Sequence, residues 1–102
     1  MHQGDINPAE AYQRLQNNHS AVLIDVRTQP EWVFVGVPQV ERLIRLSWQV
    51  FPAMDINANF VTEVEAANLP KDTEILCLCR SGARSASAAT ALTKAGFSNC
   101  WN

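Results

Sequence analysis

The sequence predicts an α/β domain with a mostly parallel central sheet and helices on both faces. Helical and strand patterns alternate along the chain, and two strand segments are short apolar runs, "AVLIDV" at 21–26 and "TEILCLC" at 73–79. Runs of this kind are typical of parallel strands that are buried on both faces. In such sheets ligands bind beyond the carboxyl ends of the strands, and Cys79 stands at one of these ends.

The first helix has a complete start signal. Asn7 is a helix-capping residue, Pro8 occupies the first helical position, and Glu10 follows three residues after the cap. These features predict a helix at 8–17, and the first buried strand follows it at 21–26.

The middle of the chain carries weaker signals. A short helical turn is predicted near Pro30, and Gly36 together with Pro38 ends it. The segment "RLIRLS" at 42–47 alternates as a strand does. Residues 48–58 mix aromatic residues, proline and asparagine, which predicts a long connection.

The second half repeats the order of helix, strand and helix. Apolar residues at helical spacing predict a helix at 60–67, and the second buried strand follows at 73–79. The next helix is predicted at 85–95 and ends at Gly96. Its alanines are small, so it can lie close to the sheet.

Composition restricts the class of protein. A chain of 102 residues is expected to form one domain, 1–102, and to bury roughly 60 to 70% of its unfolded surface. Its net charge is −2, and its eight basic residues are scattered, which excludes a nucleic-acid surface. No apolar segment approaches the ~20 residues that span a bilayer, and no signal peptide is visible, so we expect no membrane partner and a cytoplasmic location.

The cysteines indicate free thiols. The chain has three cysteines, Cys77, Cys79 and Cys100, so they cannot all form internal disulfides. They also lack the paired spacing of a structural zinc site. The segment "DINANF" resembles the start of a calcium loop, but Phe60 stands where that loop requires glycine. We therefore expect no metal site.

The segment "CRSGARS" at 79–85 carries the chemistry. Backbone N–H groups of a strand-to-helix turn, and the start of the following helix, favour negative charge in the turn. A cysteine thiol there, whose pKa is ordinarily ~8.5, is expected to become a thiolate, helped by the guanidinium groups of Arg80 and Arg84. Gly82 lets the backbone turn without a side chain in the way. Cys77 lacks this setting and is predicted to be a buried core residue.

Three stretches carry a resemblance to a known family. "LIDVRTQPEW", "CRSGARS" and "AATALTKAGF" resemble, in order, a strand with its acidic turn, the active-site loop and the following helix of rhodanese-like domains, which are sulfurtransferases. The resemblance implies that Cys79 is the sulfur-carrying nucleophile and that Asp25 and Arg27 are framework residues. It also implies a substrate-binding cradle made of Arg80, Ser81, Gly82, Ala83 and Arg84.

Two stretches depart from the family pattern. Residues 36–41 read "GVPQVE" where the family commonly has Gly-His-Ile-Pro-Gly-Ala, and the nucleophile is unaffected by this change. The chain stops at "NCWN", where the family continues through a final strand, a glycine-rich turn and a last helix. We therefore expect a C-terminally truncated domain that lacks this strand and helix.

The length of the loop separates two chemistries. The loop of cysteine phosphatases and related arsenate reductases has a cysteine, five residues and then an arginine. In this sequence only four residues separate Cys79 from Arg84, and Ser85 stands where the phosphatase arginine would be. The smaller ring of N–H donors suits a persulfide better than a tetrahedral phosphate. A phosphatase or arsenate reductase is therefore the minority hypothesis, and a non-catalytic binding or regulatory module is the other alternative.

The resemblance implies a reaction without a cofactor. Cys79 would take a sulfane sulfur from thiosulfate or another small anionic donor such as a persulfide, and would pass it to cyanide, a thiol or a protein acceptor. Two interpretations of Arg84 stay open, since it would either bind the anionic donor or pair with a carboxylate such as Asp25 or Glu31. Three of the aromatic residues would either line the pocket mouth or pack in the core, namely Trp32, Trp48 and Phe51.

Overall fold

The computed structural model describes residues 3–38, 40, 42–79 and 82–102, and it confirms the predicted fold class. The predicted helices and strands are present in the predicted order. The helices are α1 (Pro8–Asn17), α2 (Gln29–Phe34), α3 (Phe60–Glu65) and α4 (Ala83–Lys94). The strands are β1 (Val22–Asp25), β2 (Leu43–Arg45), β3 (Gln49–Val50), β4 (Asp55–Ile56), β5 (Ile75–Leu78) and β6 (Cys100–Trp101). Three of these short strands, β3, β4 and β6, were not predicted.

Four strands form the central sheet, in the order β2-β1-β5-β6, and every neighbouring pair is parallel. In the register Ile24 lies opposite Cys77, and Ile75 lies opposite Cys100. Because all four strands run the same way, their carboxyl ends meet at one edge of the sheet. The segments that begin at Asp25, Cys79 and Asn102 are therefore neighbours in space.

The sheet is covered on both faces, as predicted. On one face, β1 and β5 pack against Phe60 of α3 and against Ala88 and Leu92 of α4. On the other face, Leu23 and Leu76 pack against Leu15 of α1. Alternate residues of each strand supply the two clusters, which is why the strand sequences are apolar without interruption.

The segment 48–58 is more ordered than a plain connection. It contains β3 and β4, which pair antiparallel as a small separate sheet. The backbone N–H of Trp48 donates to the Val26 carbonyl at 3.1 Å, and its indole ring packs edge-on against Phe60 with the ring centroids 5.3 Å apart. Of the two interpretations offered for Trp48, the structure supports core packing.

The helix ends follow their local signals. The Asn7 side chain accepts the backbone N–H of Glu10 at 2.8 Å, as predicted for the start of α1. The start of α4 was predicted two residues late, because Gly82 already adopts the left-handed conformation (φ +90°) and the helix begins at the next residue. Within the described residues, no helix is long and apolar enough to cross a membrane.

Candidate functional site

Cys79 lies directly after β5 and faces the start of α4. Its side chain is largely buried, with 9% of the residue surface exposed. The backbone N–H of Gly82 donates to the Cys79 sulfur at 3.0 Å, and the N–H of Ser85 approaches it at 3.4 Å. The Ser85 hydroxyl lies 3.3 Å from the same sulfur. Two N–H dipoles therefore point at the sulfur and favour a negative charge on it.

The other predicted cradle residues are placed differently from one another. Ala83 and Arg84 form the first turn of α4 and not a free loop. Arg80 and Ser81 lie outside the described residues, so their roles stay predictions. Among the described residues of the predicted cradle, Gly82 donates its backbone N–H to the Cys79 sulfur.

Gly82 is required by its backbone conformation. At φ +90° the backbone of a residue with an L side chain is strained. Lack of space is not the reason, because a Cβ at this position would meet the Asn102 amide nitrogen at an ordinary 3.6 Å. This conformation turns the chain so that the Gly82 N–H faces the sulfur. The glycine therefore serves the geometry of the site through its φ angle.

We expect Gly82→Val to lower the free energy of unfolding by about 1 to 3 kcal/mol, because a β-branched residue is forced to positive φ. It should also slow the alkylation of Cys79 by iodoacetamide, because the displaced N–H no longer favours the thiolate. Gly96→Val is the matched control, with φ +105° and only Lys71 near its Cβ. It should lose similar stability and leave Cys79 alkylation unchanged. Equal loss of alkylation rate in both variants would contradict this role.

Arg84 pairs with Glu31 of α2 through two parallel hydrogen bonds of 2.7 and 3.0 Å. The side chains are 17% and 23% exposed. Glu31 also accepts the backbone N–H and the hydroxyl of Thr28, at 3.1 and 2.9 Å. Arg84, and to a lesser degree Thr28, lowers the pKa of Glu31 to about 2 against the opposing effect of burial. This pair fastens α2 to the start of α4.

Arg84 also interacts with Cys79. The pKa of the Arg84 guanidinium is raised, mainly by its hydrogen bonds to Glu31 and further by the charge and a hydrogen bond of Cys79. Of the two carboxylates considered as partners of Arg84, the structure shows Glu31, while Asp25 pairs with Arg27. Arg84 is left close to the sulfur with its charge compensated.

Asp25 and Arg27 form the framework on the other side of the site. Asp25 is completely buried and accepts two hydrogen bonds from the Arg27 side chain, at 2.9 and 2.7 Å. Arg27 also donates to the Gly36 carbonyl at 2.7 Å. The buried pair therefore connects the end of β1 to the segment after α2.

A cavity of about 570 Å³ opens beside Cys79. Its volume lies in the range of about 300 to 1,000 Å³ that is common for small-molecule sites. The segment 35–38, which belongs in part to the departure "GVPQVE", supplies an apolar wall of the cavity; Gln39 and Glu41 lie outside the described residues. The cavity is lined by Arg27, Glu31, Val35, Gly36, Val37, Pro38, Leu78 and Cys79.

The remaining candidate residues lie elsewhere. Trp32 and Phe51 line two other surface depressions and not the cavity beside Cys79. Cys77 and Cys100 are buried in the core, and burial raises the pKa of both thiols. These two thiols therefore stay protonated at neutral pH. Among the described residues no group of three or more histidine, cysteine or acidic side chains is placed to hold a metal ion.

Sequence reasoning missed the polar groups behind the sulfur. The Ser85 hydroxyl donates to the side-chain oxygen of Asn102, and the Asn102 amide nitrogen donates to Asp5 at 3.0 Å. The available signal was topological, since Asn102 follows a parallel strand and so lies at the same edge as Cys79. The two-residue strand β6 was too short to predict from periodicity.

Comparison with known proteins agrees with this geometry. A family model for the rhodanese-like domain matches residues 7–102. Protein RP600 of Rickettsia prowazekii (strain Madrid E) is 38% identical over 99 residues, which span 96% of this chain and 78% of that protein.

Two solved structures share the fold. The crystal structure of Rv0390 from M. tuberculosis superimposes with a TM-score of 0.89 at 37% identity, over 100% of this chain and 77% of that chain. The polysulfide-sulfur transferase homodimer from Wolinella succinogenes gives a TM-score of 0.75 at 27% identity, over 95% of this chain and 64% of that chain. Sulfurtransferases are thus among its more distant relatives. The family match over almost the whole chain, together with these structures, shows that this chain belongs to the rhodanese-like domain family.

Proposed function

We propose that the protein is a sulfurtransferase that carries sulfane sulfur as a persulfide on Cys79. The observation that carries this proposal is the position of the Cys79 sulfur, which receives the N–H of Gly82 at 3.0 Å and lines the cavity of about 570 Å³. An anionic sulfur is stabilised by such N–H groups before and after it accepts a second sulfur atom. The site thus suits both states of a sulfur carrier.

The reaction proceeds in two displacements. The Cys79 thiolate attacks the outer sulfur of thiosulfate, a sulfur–sulfur bond forms, and the bond to the sulfite sulfur breaks with its electron pair, so that sulfite leaves. A thiolate or cyanide then attacks the terminal sulfur of the persulfide. That step gives an acceptor persulfide or thiocyanate and returns Cys79 as a thiolate. Neither displacement requires a metal or an organic cofactor.

The charges at the site limit the donor. Arg27 and Arg84 are both paired with carboxylates, so their charges are partly compensated, and residues 35–38 form an apolar wall of the cavity. We propose a small donor such as thiosulfate or a persulfide, and a small thiol, cyanide or a protein thiol as acceptor. Binding of the donor by the cradle 80–84, and a cytoplasmic location with neither nucleic-acid nor membrane partners, belong to the same proposal.

The proposal is tested by incubating the protein with thiosulfate and measuring both sulfite release and intact mass. We expect one sulfite for each protein molecule and a mass increase of one sulfur atom. No adduct and no sulfite would contradict the transferase and favour the binding module. A parallel assay with p-nitrophenyl phosphate tests the phosphatase hypothesis, and hydrolysis that depends on Cys79 would favour it instead.

A further inference from the structure

The Ser85 hydroxyl has a single proton and three acceptors within reach. Its oxygen lies 3.3 Å from the Cys79 sulfur and 3.2 Å from the Gly82 carbonyl oxygen, and it donates to the side-chain oxygen of Asn102. The Gly82 carbonyl already accepts the backbone N–H of Ala86 at 3.0 Å. Because a hydroxyl supplies one proton, only one of these acceptors can receive its full hydrogen bond.

Asp5 fixes which end of the Asn102 amide faces Ser85. The amide nitrogen donates to the Asp5 carboxylate at 3.0 Å. A carboxylate only accepts hydrogen bonds, so a rotated amide would place two oxygens against each other. The Asn102 oxygen is therefore held toward Ser85, and the carboxylate polarises the amide, which makes that oxygen a stronger acceptor.

We infer that Asp5 and Asn102 are positioning residues that hold the Ser85 hydroxyl proton away from the Cys79 sulfur. In this arrangement the Ser85 oxygen accepts the S–H of a neutral Cys79 thiol. When the hydroxyl rotates toward the sulfur, it donates instead and stabilises a thiolate or a persulfide anion. The Asp5–Asn102–Ser85 chain therefore controls how readily Cys79 ionises.

The backbone around Asn102 does not depend on its side chain. The Asn102 N–H donates to the Gly4 carbonyl at 3.0 Å, and the Asn102 carbonyl accepts the Ile6 N–H at 2.8 Å. These bonds hold the N-terminal segment beside the end of β6. The Asn102 side chain can therefore be replaced while the backbone after β6 keeps its position.

Other charged and titratable groups also face Cys79, and a test of the chain requires variants that leave these groups unchanged. Arg84 comes from α4 and carries its partner Glu31 of α2, whereas Arg27 and Asp25 follow β1. Cys77 lies two residues earlier on β5, and its thiol interacts with that of Cys79. Replacing Asn102 by leucine alters none of these groups, so a change in Cys79 ionisation can be assigned to the chain.

The test is the rate of Cys79 alkylation by iodoacetamide as a function of pH, with mass spectrometry to identify the modified cysteine. In Asn102→Leu the Ser85 proton is released to the sulfur, and we expect the midpoint of the pH profile to fall by about half to one pH unit. This corresponds to roughly three- to tenfold more thiolate below the midpoint. Asp5→Asn, at an exposed position, should move the midpoint in the same direction by a smaller amount.

The matched control is Ser85→Ala, with and without Asn102→Leu. Without the hydroxyl there is no proton to redirect, so we expect the second substitution to leave the midpoint unchanged. An unchanged or higher midpoint in both Asn102→Leu and Asp5→Asn would overturn the inference, and so would an equal shift in the Ser85→Ala background. Any effect of these variants on sulfite release rests on the proposed function, whereas the ionisation of Cys79 is measured independently of it. A protein that releases no sulfite but shows the expected shifts in the alkylation profile would count only against the transferase.

Discussion

Cys79→Ser is expected to abolish sulfite release from thiosulfate, whereas Cys77→Ala is expected to retain most of it. A serine hydroxyl is a far weaker nucleophile than a thiolate and cannot carry a sulfane sulfur, so the loss should reach several orders of magnitude. Cys77 lies on β5, two residues before Cys79, and burial raises the pKa of its thiol, which therefore stays protonated at neutral pH. Initial rates of sulfite release at saturating thiosulfate measure both effects.

Alanine is chosen at position 77 because a serine hydroxyl would be buried in an apolar cluster. We expect Cys77→Ala to cost about 1 kcal/mol in the free energy of unfolding, as is typical when a small core side chain is truncated. Circular dichroism on both variants verifies that the fold is retained. A folded Cys79→Ser protein that still releases sulfite would show that the nucleophile lies elsewhere.

Arg84→Met is expected to lower the free energy of unfolding at neutral pH by about 1 to 3 kcal/mol, because it leaves the partly buried Glu31 carboxylate without its main partner. Glu31→Gln in the same protein should restore part of that loss, since no uncompensated charge then remains. Urea unfolding of the two single variants and the double variant measures the coupling. Additive losses would show that the pair contributes no stability of its own.

The same pair predicts an acid limb of stability. The folded-state pKa of Glu31 is lowered to about 2, below its ordinary value of 4.5, so the pair stabilises the fold fully above pH 4.5. That contribution should be lost as the pH falls from 4.5 to about 2. In Arg84→Met this part of the pH dependence should largely disappear, and an unchanged limb would assign it to other carboxylates.

Activity of the double variant separates the two interpretations of Arg84. If Arg84 only holds α2 and α4 together, Arg84→Met with Glu31→Gln should recover sulfite release along with stability. If Arg84 also binds the donor, the KM for thiosulfate should stay raised in a stable protein, because the loss of binding affects ground state and transition state alike. The electrostatic interaction of Arg84 with Cys79, which helps to raise the pKa of the guanidinium, leads us to expect the second result.

Elements with local signals could be predicted from the sequence. The cap at Asn7 and the apolar runs of β1 and β5 each act within a few residues, and the structure has these elements where the patterns indicated them. The hairpin of β3 and β4 and the short strand β6 could not be predicted in this way. Each of these strands has only two residues, too few to show a periodicity; β3 and β4 pair with each other, and β6 pairs with β5, which lies far from it in the sequence.

In the site, too, local features could be predicted from the sequence and long-range contacts could not. The left-handed conformation of Gly82 at the start of α4 has a local cause, so the position of its N–H beside Cys79 follows from the sequence around it. The choice of Glu31 as the partner of Arg84 depends on how α2 packs, so two carboxylates remained open at the level of sequence. Asn102 and Asp5 approach Ser85 because residues 3–6 run beside residues 100–102, which no local pattern reveals.

The most direct measurement of the central claim is to locate the sulfur atom after incubation with thiosulfate. Cleavage after Lys71 and Arg80 leaves Cys77 and Cys79 on one tryptic peptide, 72–80, so fragment ions that separate the two cysteines are needed. Capping the persulfide with iodoacetamide before a tryptic digestion without reductant preserves the adduct. We expect the additional sulfur on Cys79 alone; its presence on Cys77 or Cys100, or on none of the three, would contradict the proposal that Cys79 is the sulfur carrier.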